Sequence, residues 1–217
     1  MKPRYPGCYD LYGGQTPEQT LGPFFSQGLV RVADTFASPS LCRDAEDVIG
    51  NVLASELTPG ERLRLEGTVY DGLGCPIPDA LVEIWQADAE GRYAHPLQLG
   101  EQFVKAPFQG FGRAPTDDGG RFFFETIRPG AVPGPGGSAQ AAHLNVVLGA
   151  RGMTRLAFTR IYFADDPALA RDPVLGQIPA ARRATLLARR RLEAPGRPTY
   201  VFDIHLQGEL ETVFFDF

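Results

Sequence analysis

Hydrophobic and polar residues alternate along much of the chain after Gly60. In Arg62–Tyr70 (RLRLEGTVY), Leu63, Leu65 and Val69 share one face and polar side chains occupy the other. This two-residue period is typical of a half-buried β-strand. Similar runs predict further strands at residues 80–87, 121–127, 143–150, 156–163 and 199–207, and a strand-like tail at 211–217.

Many short strands with little helix between them predict an all-β protein, with an antiparallel β-sandwich core. Residues 1–60 lack the alternation and contain TPEQTLGPFF, whose two prolines favour an extended arm. One or two short helices are expected, at residues 180–192 and around 44–54, although the second half of the former suits an extended chain equally well. We therefore divide the chain into an N-terminal arm and interface segment, residues 1–60, and a β-sandwich domain, residues 61–217.

The composition and charge limit which kinds of protein this chain can be. Hydrophobic residues make up 43% and charged residues 22%, which is ordinary for a soluble globular protein. The formal net charge of −5 disfavours a nucleic-acid partner. We see no apolar run of the roughly 20 residues that a membrane span requires. Three widely spaced cysteines favour a reducing compartment, so we expect a cytoplasmic protein.

The three histidines are the first candidates for catalytic or metal-binding residues. His143 and Asn145 share one face of a predicted strand, but an amide is a poor ligand for a transition metal ion. A hydrogen-bonded structural pair is the simpler interpretation there, as are surface positions for His95 and His205. The turn TDDGG has too few acidic positions for a calcium loop and is expected to be a plain hairpin connection. From the residues alone, the chain is a β-sandwich without a complete active site.

Several long segments resemble the intradiol ring-cleavage dioxygenases. The likeness also includes the arm, so most of the chain from Thr16 onward is covered. The resemblance implies a β-sandwich core and membership of a family of ferric enzymes that open catechols between their two hydroxyl groups. The segments that carry it are GTVYDGLGCPIPDALVEIWQADAEGRYAH (67–95), GFGRAPTDDGGRFFFETIRPG (110–130), AAHLNVVLGARG (141–152), RIYFADDPALARDPVL (160–175) and TYVFDIHLQGELETVFFDF (199–217).

The resemblance also implies which positions would hold the iron. Tyr93 matches the first ligand tyrosine of the family, but Val132 stands at the second. His143 matches the first ligand histidine, whereas Asn145 replaces the second. Gln140 stands where the family has an arginine, and a neutral amide cannot stabilise a developing anion as a guanidinium would. We therefore expect no catalytic residue and no metal ligand in this chain.

Within the family, the chain is most similar to members built from two homologous chains, alpha and beta. The resemblance then implies a non-catalytic alpha-type subunit, paired with a beta chain that holds Fe(III). Thr20, Gly22 and Pro23 match the segment that lines the catechol pocket, so they are the predicted substrate-binding residues. The implied reaction is intradiol cleavage of protocatechuate by O₂ to 3-carboxy-cis,cis-muconate, in a hetero-oligomer of alpha–beta pairs.

Two other interpretations remain open. The chain would be a self-sufficient intradiol dioxygenase for another catechol if His95 or His205 joined Tyr93 and His143 at an iron ion. This would require ligands from unrelated strands. The chain would instead be a plain β-sandwich binding module if the resemblance reflected the fold alone. That interpretation does not explain the likeness of the arm, the core and the C-terminus together.

Overall fold

The computed structural model describes residues 20–22, 25, 29, 49–100, 108–191 and 197–216. Within these ranges the protein consists mainly of β-strands, with one short α-helix and several 3-10 helices. The elements are β1 (Arg62–Tyr70), β2 (Leu81–Gln86), α1 (Pro96–Leu99), β3 (Phe111–Pro115), β4 (Arg121–Ile127), β5 (Val132–Pro133), β6 (Ala139–Gln140), β7 (His143–Gly149), β8 (Ala157–Phe163), β9 (Leu187–Arg191), β10 (Thr199–Val201) and β11 (Ile204–His205). The 3-10 helices are Pro135–Gly137, Pro167–Arg171, Leu175–Gln177 and Ala180–Leu186.

Nine of these strands form one sheet. Its order is β11-β1-β10-β9-β8-β7-β2-β3, with β4 paired to β1 beside this path, while β5 and β6 form a separate two-stranded ribbon. Most pairs are antiparallel, but β1 runs parallel to β10 and β11, and β8 runs parallel to β9. The all-β prediction is confirmed, and the parallel pairs add to the expected antiparallel core.

The sheet has two halves, one that contains β1, β4 and β10 and one that contains β2, β3, β7 and β8, and a single main core lies between them. Leu65 of β1 and Phe124 of β4 belong to the same buried cluster as Val146 of β7 and Ile161 of β8. Buried and partly exposed residues alternate along β1 as the sequence predicted. Burial of apolar surface stabilises this arrangement by about 25 cal/mol for each Å² removed from water.

The helix predicted at residues 180–192 is wrong in its second half. A 3-10 helix covers Ala180–Leu186, after which Leu187–Arg191 forms β9 between β8 and β10. Helix propensity is a weak preference, and pairing with two neighbouring strands supplies the backbone hydrogen bonds that a helix would otherwise provide. The extended alternative is therefore confirmed for that half. Residues 49–54 of the other predicted helix are not helical, since Val52 bridges to Glu125; residues 44–48 lie outside the described ranges.

The turn TDDGG does not close a simple hairpin. Asp117 accepts the backbone N–H groups of Gly119 and Arg121, both at 2.9 Å. However, β3 before the turn pairs with β2, and β4 after it pairs with β1. The connection therefore carries the chain from one half of the sheet to the other.

Most of the predicted arm, residues 1–60, lies outside the described ranges. Leu21 donates its N–H to the Met153 oxygen at 2.9 Å and accepts from Gly152 at 3.2 Å. Residues 20–22 therefore lie beside the turn that joins β7 to β8. Across the described part of the chain, no helix has both the length and the apolar character needed to cross a membrane.

Candidate functional site

The structure brings Tyr93 and Asn145 into direct contact. The Asn145 amide donates to the Tyr93 hydroxyl at 2.9 Å and to the Trp85 carbonyl at 3.2 Å. The ring of Tyr93 lies against that of Trp85, with 4.6 Å between the centroids. Two of the four positions that match iron ligands in the family are therefore neighbours, but their residues are joined by a hydrogen bond between neutral groups.

Tyr93 follows a tight turn formed by residues 88–92. The Asp88 carboxylate accepts the N–H groups of Glu90 and Arg92, both at 2.9 Å. Gly91 has a φ of +79°, a conformation that side-chain-bearing residues rarely adopt. A Cβ atom at Gly91 would overlap the carbonyl oxygen of Ala131. This glycine therefore lets the turn before Tyr93 pack directly on the loop that leads to Val132.

His143 is buried at the start of β7, with 1% of its surface exposed. Its Nδ1 lies 2.8 Å from the Ala141 oxygen, and a carbonyl can only accept, so Nδ1 carries the proton. The ring lies 5.6 Å from that of Tyr162, measured between centroids. Burial lowers the His143 pKa to about 4, so the imidazole is neutral at physiological pH.

A buried carboxylate fixes the chain just before His143. Asp172 accepts the N–H of Ala141 at 2.8 Å, that of Val174 at 2.9 Å and that of Leu175 at 2.8 Å. Nothing in the sequence distinguishes Asp172 from the other aspartates. Its role depends on contact with a residue 31 positions away.

Arg160 was also missed by the sequence analysis. Its NH1 donates to the Gln140 side-chain oxygen at 2.7 Å and to the Tyr162 hydroxyl at 3.3 Å. In the β7–β8 ladder, Arg160 stands directly opposite Asn145. Gln140 in turn pairs with the buried Val132 across the β5–β6 ribbon.

The donor set at these positions does not fit ferric iron. Fe(III) prefers anionic oxygen ligands, and Val132 offers none. Burial raises the pKa of the Tyr93 hydroxyl, and the Asn145 hydrogen bond and the charge of Arg160 oppose that rise only in part. In the ranges that the structure describes, no group of three or more His, Cys, Asp and Glu side chains could hold a metal ion.

The remaining candidate histidines do not complete a metal site. His95 accepts the Leu97 N–H at 3.2 Å and so caps α1. His205 stacks on Tyr70, with ring centroids 4.9 Å apart. Neither histidine forms a common metal-ligand group with His143 in the described part of the chain.

The predicted substrate-binding segment lies at the opposite end of β7 from His143. Leu21 packs near Gly149, which is six residues beyond His143, or about 20 Å along an extended strand. Thr20 and Gly22 are exposed there, while Pro23 lies outside the described residues. The structure therefore does not bring these residues together with Tyr93, His143 and Asn145.

We expect the burial of His143 to make the protein sensitive to mild acid. Its pKa falls from 6.5 to about 4 on folding, so between these values the unfolded chain binds more protons than the folded one. The free energy of unfolding therefore falls as the pH is lowered from about 6.5 to about 4, and at pH 4.5 it is lower than at pH 7 by roughly 2 to 3 kcal/mol. Urea unfolding of the protein at pH 7 and pH 4.5 measures this loss.

His143→Gln serves as the control for this measurement. Glutamine can donate to the Ala141 carbonyl but does not titrate. The difference in unfolding free energy between the two pH values should shrink by about the same 2 to 3 kcal/mol in this variant. An equal pH dependence in both proteins would rule out His143 as its source.

Comparison with known proteins identifies the family. A family model described as a dioxygenase matches residues 37–208. The protocatechuate 3,4-dioxygenase alpha chain of Pseudomonas putida is 42% identical over 205 residues, covering 94% of this chain and 96% of that relative. A protocatechuate 3,4-dioxygenase beta chain from Burkholderia cepacia is 36% identical over 167 residues, covering 75% and 71%.

A solved structure agrees with these matches. It is the dioxygenase domain of a dioxygenase carbohydrate-binding protein fusion from Streptomyces sp. SirexAA-E, with a TM-score of 0.56 and 26% identity. The match covers 89% of this chain and 98% of that domain. The chain therefore belongs to the intradiol dioxygenase family, whose enzymes generally depend on iron, and the family predicted from its sequence is confirmed. Within that family, its likeness to the Pseudomonas putida alpha chain extends over nearly the whole of both proteins.

Proposed function

We propose that this chain is the alpha subunit of a protocatechuate 3,4-dioxygenase and that a homologous beta chain holds the Fe(III). The observation that carries the proposal is the similarity to an alpha chain over nearly the full length of both proteins. The donor set supports it, because Val132 and the Tyr93–Asn145 hydrogen bond leave no set of anionic ligands for ferric iron.

In the assembly, protocatechuate would be cleaved by O₂ to 3-carboxy-cis,cis-muconate at the Fe(III) of the beta chain. This chain would contribute part of the substrate pocket and no catalytic residue. Thr20 offers a hydroxyl that both donates and accepts hydrogen bonds. Among the described residues, no atom lies within 4 Å of where a Cβ of Gly22 would stand, so another molecule can approach its backbone closely. Pro23 has a fixed φ angle, which limits the conformations of the segment.

The position of this segment favours a role in the partner's site. Thr20 and Gly22 are exposed, and the strand between the segment and His143 spans about 20 Å. The segment therefore cannot line the pocket of Tyr93 and His143 in its own chain. An exposed segment held to a hairpin turn through Leu21 can instead extend into the site of a paired subunit.

We also propose that the chain divides into an arm, residues 1–60, and a β-sandwich domain, residues 61–217, and acts in the cytoplasm. The first long strand begins at Arg62, which supports the boundary. The widely spaced cysteines support a reducing compartment.

Co-expression with a candidate beta chain tests the proposed function. We expect the two chains to co-purify and the complex to contain iron and consume oxygen when protocatechuate is added. The chain expressed alone should bind no iron and show no visible tyrosinate-to-iron absorption band. An iron-containing, active preparation of the lone chain would refute the proposal.

Replacing Gly22 with leucine tests the substrate-binding segment. No atom of the described residues lies within 4 Å of a Cβ at Gly22, so we expect the fold to tolerate leucine there. The leucine side chain would, however, obstruct a pocket that the segment lines. We expect the KM of the complex for protocatechuate to rise about tenfold, which corresponds to about 1.4 kcal/mol of lost binding. Oxygen uptake at varied protocatechuate concentration measures KM and kcat.

Gly176→Leu is the matched control, because Gly176 is also exposed and no atom of the described residues lies within 4 Å of where its Cβ would stand. The KM of this control should equal that of the unmodified complex. If Gly22→Leu leaves the KM unchanged as well, the segment does not line the pocket.

A further inference from the structure

The four positions that correspond to iron ligands in the family are all linked to one guanidinium group, that of Arg160. Asn145 stands directly opposite Arg160 in the β7–β8 ladder. The Asn145 amide in turn donates to the Tyr93 hydroxyl at 2.9 Å. The Arg160 NH1 donates to the Tyr162 hydroxyl at 3.3 Å, and the ring of Tyr162 lies 5.6 Å from that of His143. Three of the four positions are therefore linked to this cation, directly or through one residue.

The fourth position is linked through Gln140. The Arg160 NH1 donates to the Gln140 side-chain oxygen at 2.7 Å, and Gln140 pairs with Val132 in the β5–β6 ribbon. The guanidinium therefore lies among the two strands, β5 and β7, and the one loop that carry the four positions. Its half-buried side chain is directed inward to partners and is not spread over the protein surface.

In the described part of the chain, the side chains that accept hydrogen bonds from this guanidinium are neutral. Both Gln140 and the Tyr162 hydroxyl accept from NH1, at 2.7 Å and 3.3 Å. Neutral partners do not offset the positive charge of an arginine, and the Asp172 carboxylate lies beyond Tyr162, 3.4 Å from its hydroxyl. A fixed cation among candidate ligands repels a metal ion, and the repulsion is stronger in a partly buried site than in water.

We propose that Arg160 occupies the centre of the former iron site with its own positive charge and thereby excludes metal ions from this chain. The loss of metal binding then depends on three residues, Val132, Asn145 and Arg160, and not on the two altered ligand positions alone. This inference rests on the proposed function, because it takes the iron of the assembly to be held by the beta chain.

Restoring the ligands while keeping the cation should therefore fail. The test uses the full complex with the beta chain, in which we expect one iron per alpha–beta pair. The variant Val132→Tyr/Asn145→His should still contain one iron per pair. Adding Arg160→Gln, which removes the charge but keeps a group that can bond to Gln140, should raise the content to two. Metal analysis and the intensity of the tyrosinate-to-iron absorption band measure this change.

Arg160→Lys in the restored background is the matched control, because lysine keeps the positive charge. This variant should again contain one iron per pair. Uptake of a second iron by Val132→Tyr/Asn145→His, with or without Arg160→Lys, would overturn the proposal. The proposal would also be overturned if the folded triple variant, Val132→Tyr/Asn145→His/Arg160→Gln, took up no second iron. An unmodified complex that already holds two irons would instead refute the proposed function, so the two failures are distinguishable.

A second pair of variants needs fewer substitutions and covers the case in which the triple variant does not fold. Asn145→His places two histidines on one face of β7, and Asn145→His/Arg160→Gln differs from it only in the cation. Calorimetric titration of the full chain with Zn²⁺ should give binding at least about 100-fold tighter for the second variant, because it lacks the nearby unit charge. Equal affinities would contradict the proposed role of Arg160.

Discussion

Replacing Asp172 with alanine should destabilise the protein by about 3–5 kcal/mol. The carboxylate is only 3% exposed and accepts three backbone N–H groups, from Ala141, Val174 and Leu175. The Tyr162 hydroxyl lies 3.4 Å from it. Alanine would leave these donors buried without a partner, and each unsatisfied donor costs about 1–3 kcal/mol. Urea unfolding monitored by circular dichroism measures the loss.

Asp172→Asn separates the hydrogen bonds from the packing. One amide oxygen can still accept from Val174 and Leu175, but an NH₂ group would then face the Ala141 N–H. We expect this variant to lose about half as much free energy of unfolding as the alanine variant. If both variants unfolded at the same urea concentration as the unmodified protein, Asp172 would not fix the start of β7.

Replacing Gly91 with alanine should lower the free energy of unfolding by a comparable amount, about 3–5 kcal/mol. Two costs combine at this position. A residue with a side chain at φ +79° is strained, by about 1–2 kcal/mol. The added methyl group would also overlap the Ala131 carbonyl oxygen, which is backbone and cannot rotate away. The turn before Tyr93 would then separate from the loop that carries Val132.

Gly74→Ala is the control for the backbone cost alone. Its φ of +78° nearly equals that of Gly91, and no atom in the described ranges lies within 4 Å of a Cβ there. The free energy of unfolding of this variant should fall by only about 1–2 kcal/mol. Thermal unfolding of both variants gives the difference, and equal losses would mean that the contact with Ala131 is unimportant.

The features predicted correctly are those that depend on residues close together in the sequence. The strands β1 and β4 were predicted with their observed bounds, because alternation of apolar and polar residues reflects a sheet with one buried face. The unusual residues Val132 and Asn145 were also recognised in the sequence, because the family motif fixes their positions relative to Tyr93 and His143.

The features that were missed depend on contacts between distant segments. The residues of β9 are typical of a helix, since alanine, leucine and arginine favour one, until β8 and β10 provide strands on both sides. The TDDGG turn looks like a hairpin connection because local turn chemistry does not reveal which strands its two ends will pair with.

The sequence by itself therefore determined the strand-rich class and the family, and it predicted the positions at which iron ligands are replaced. All of these follow from local pattern or from motif. Only the tertiary structure decided how those altered positions are filled. Asn145 bonds to Tyr93, 52 residues away, Arg160 bonds to Gln140, and Asp172 holds the backbone ahead of His143. A side chain acquires such partners only when the sheet folds over its core, and no spacing along the chain specifies which partner it will meet.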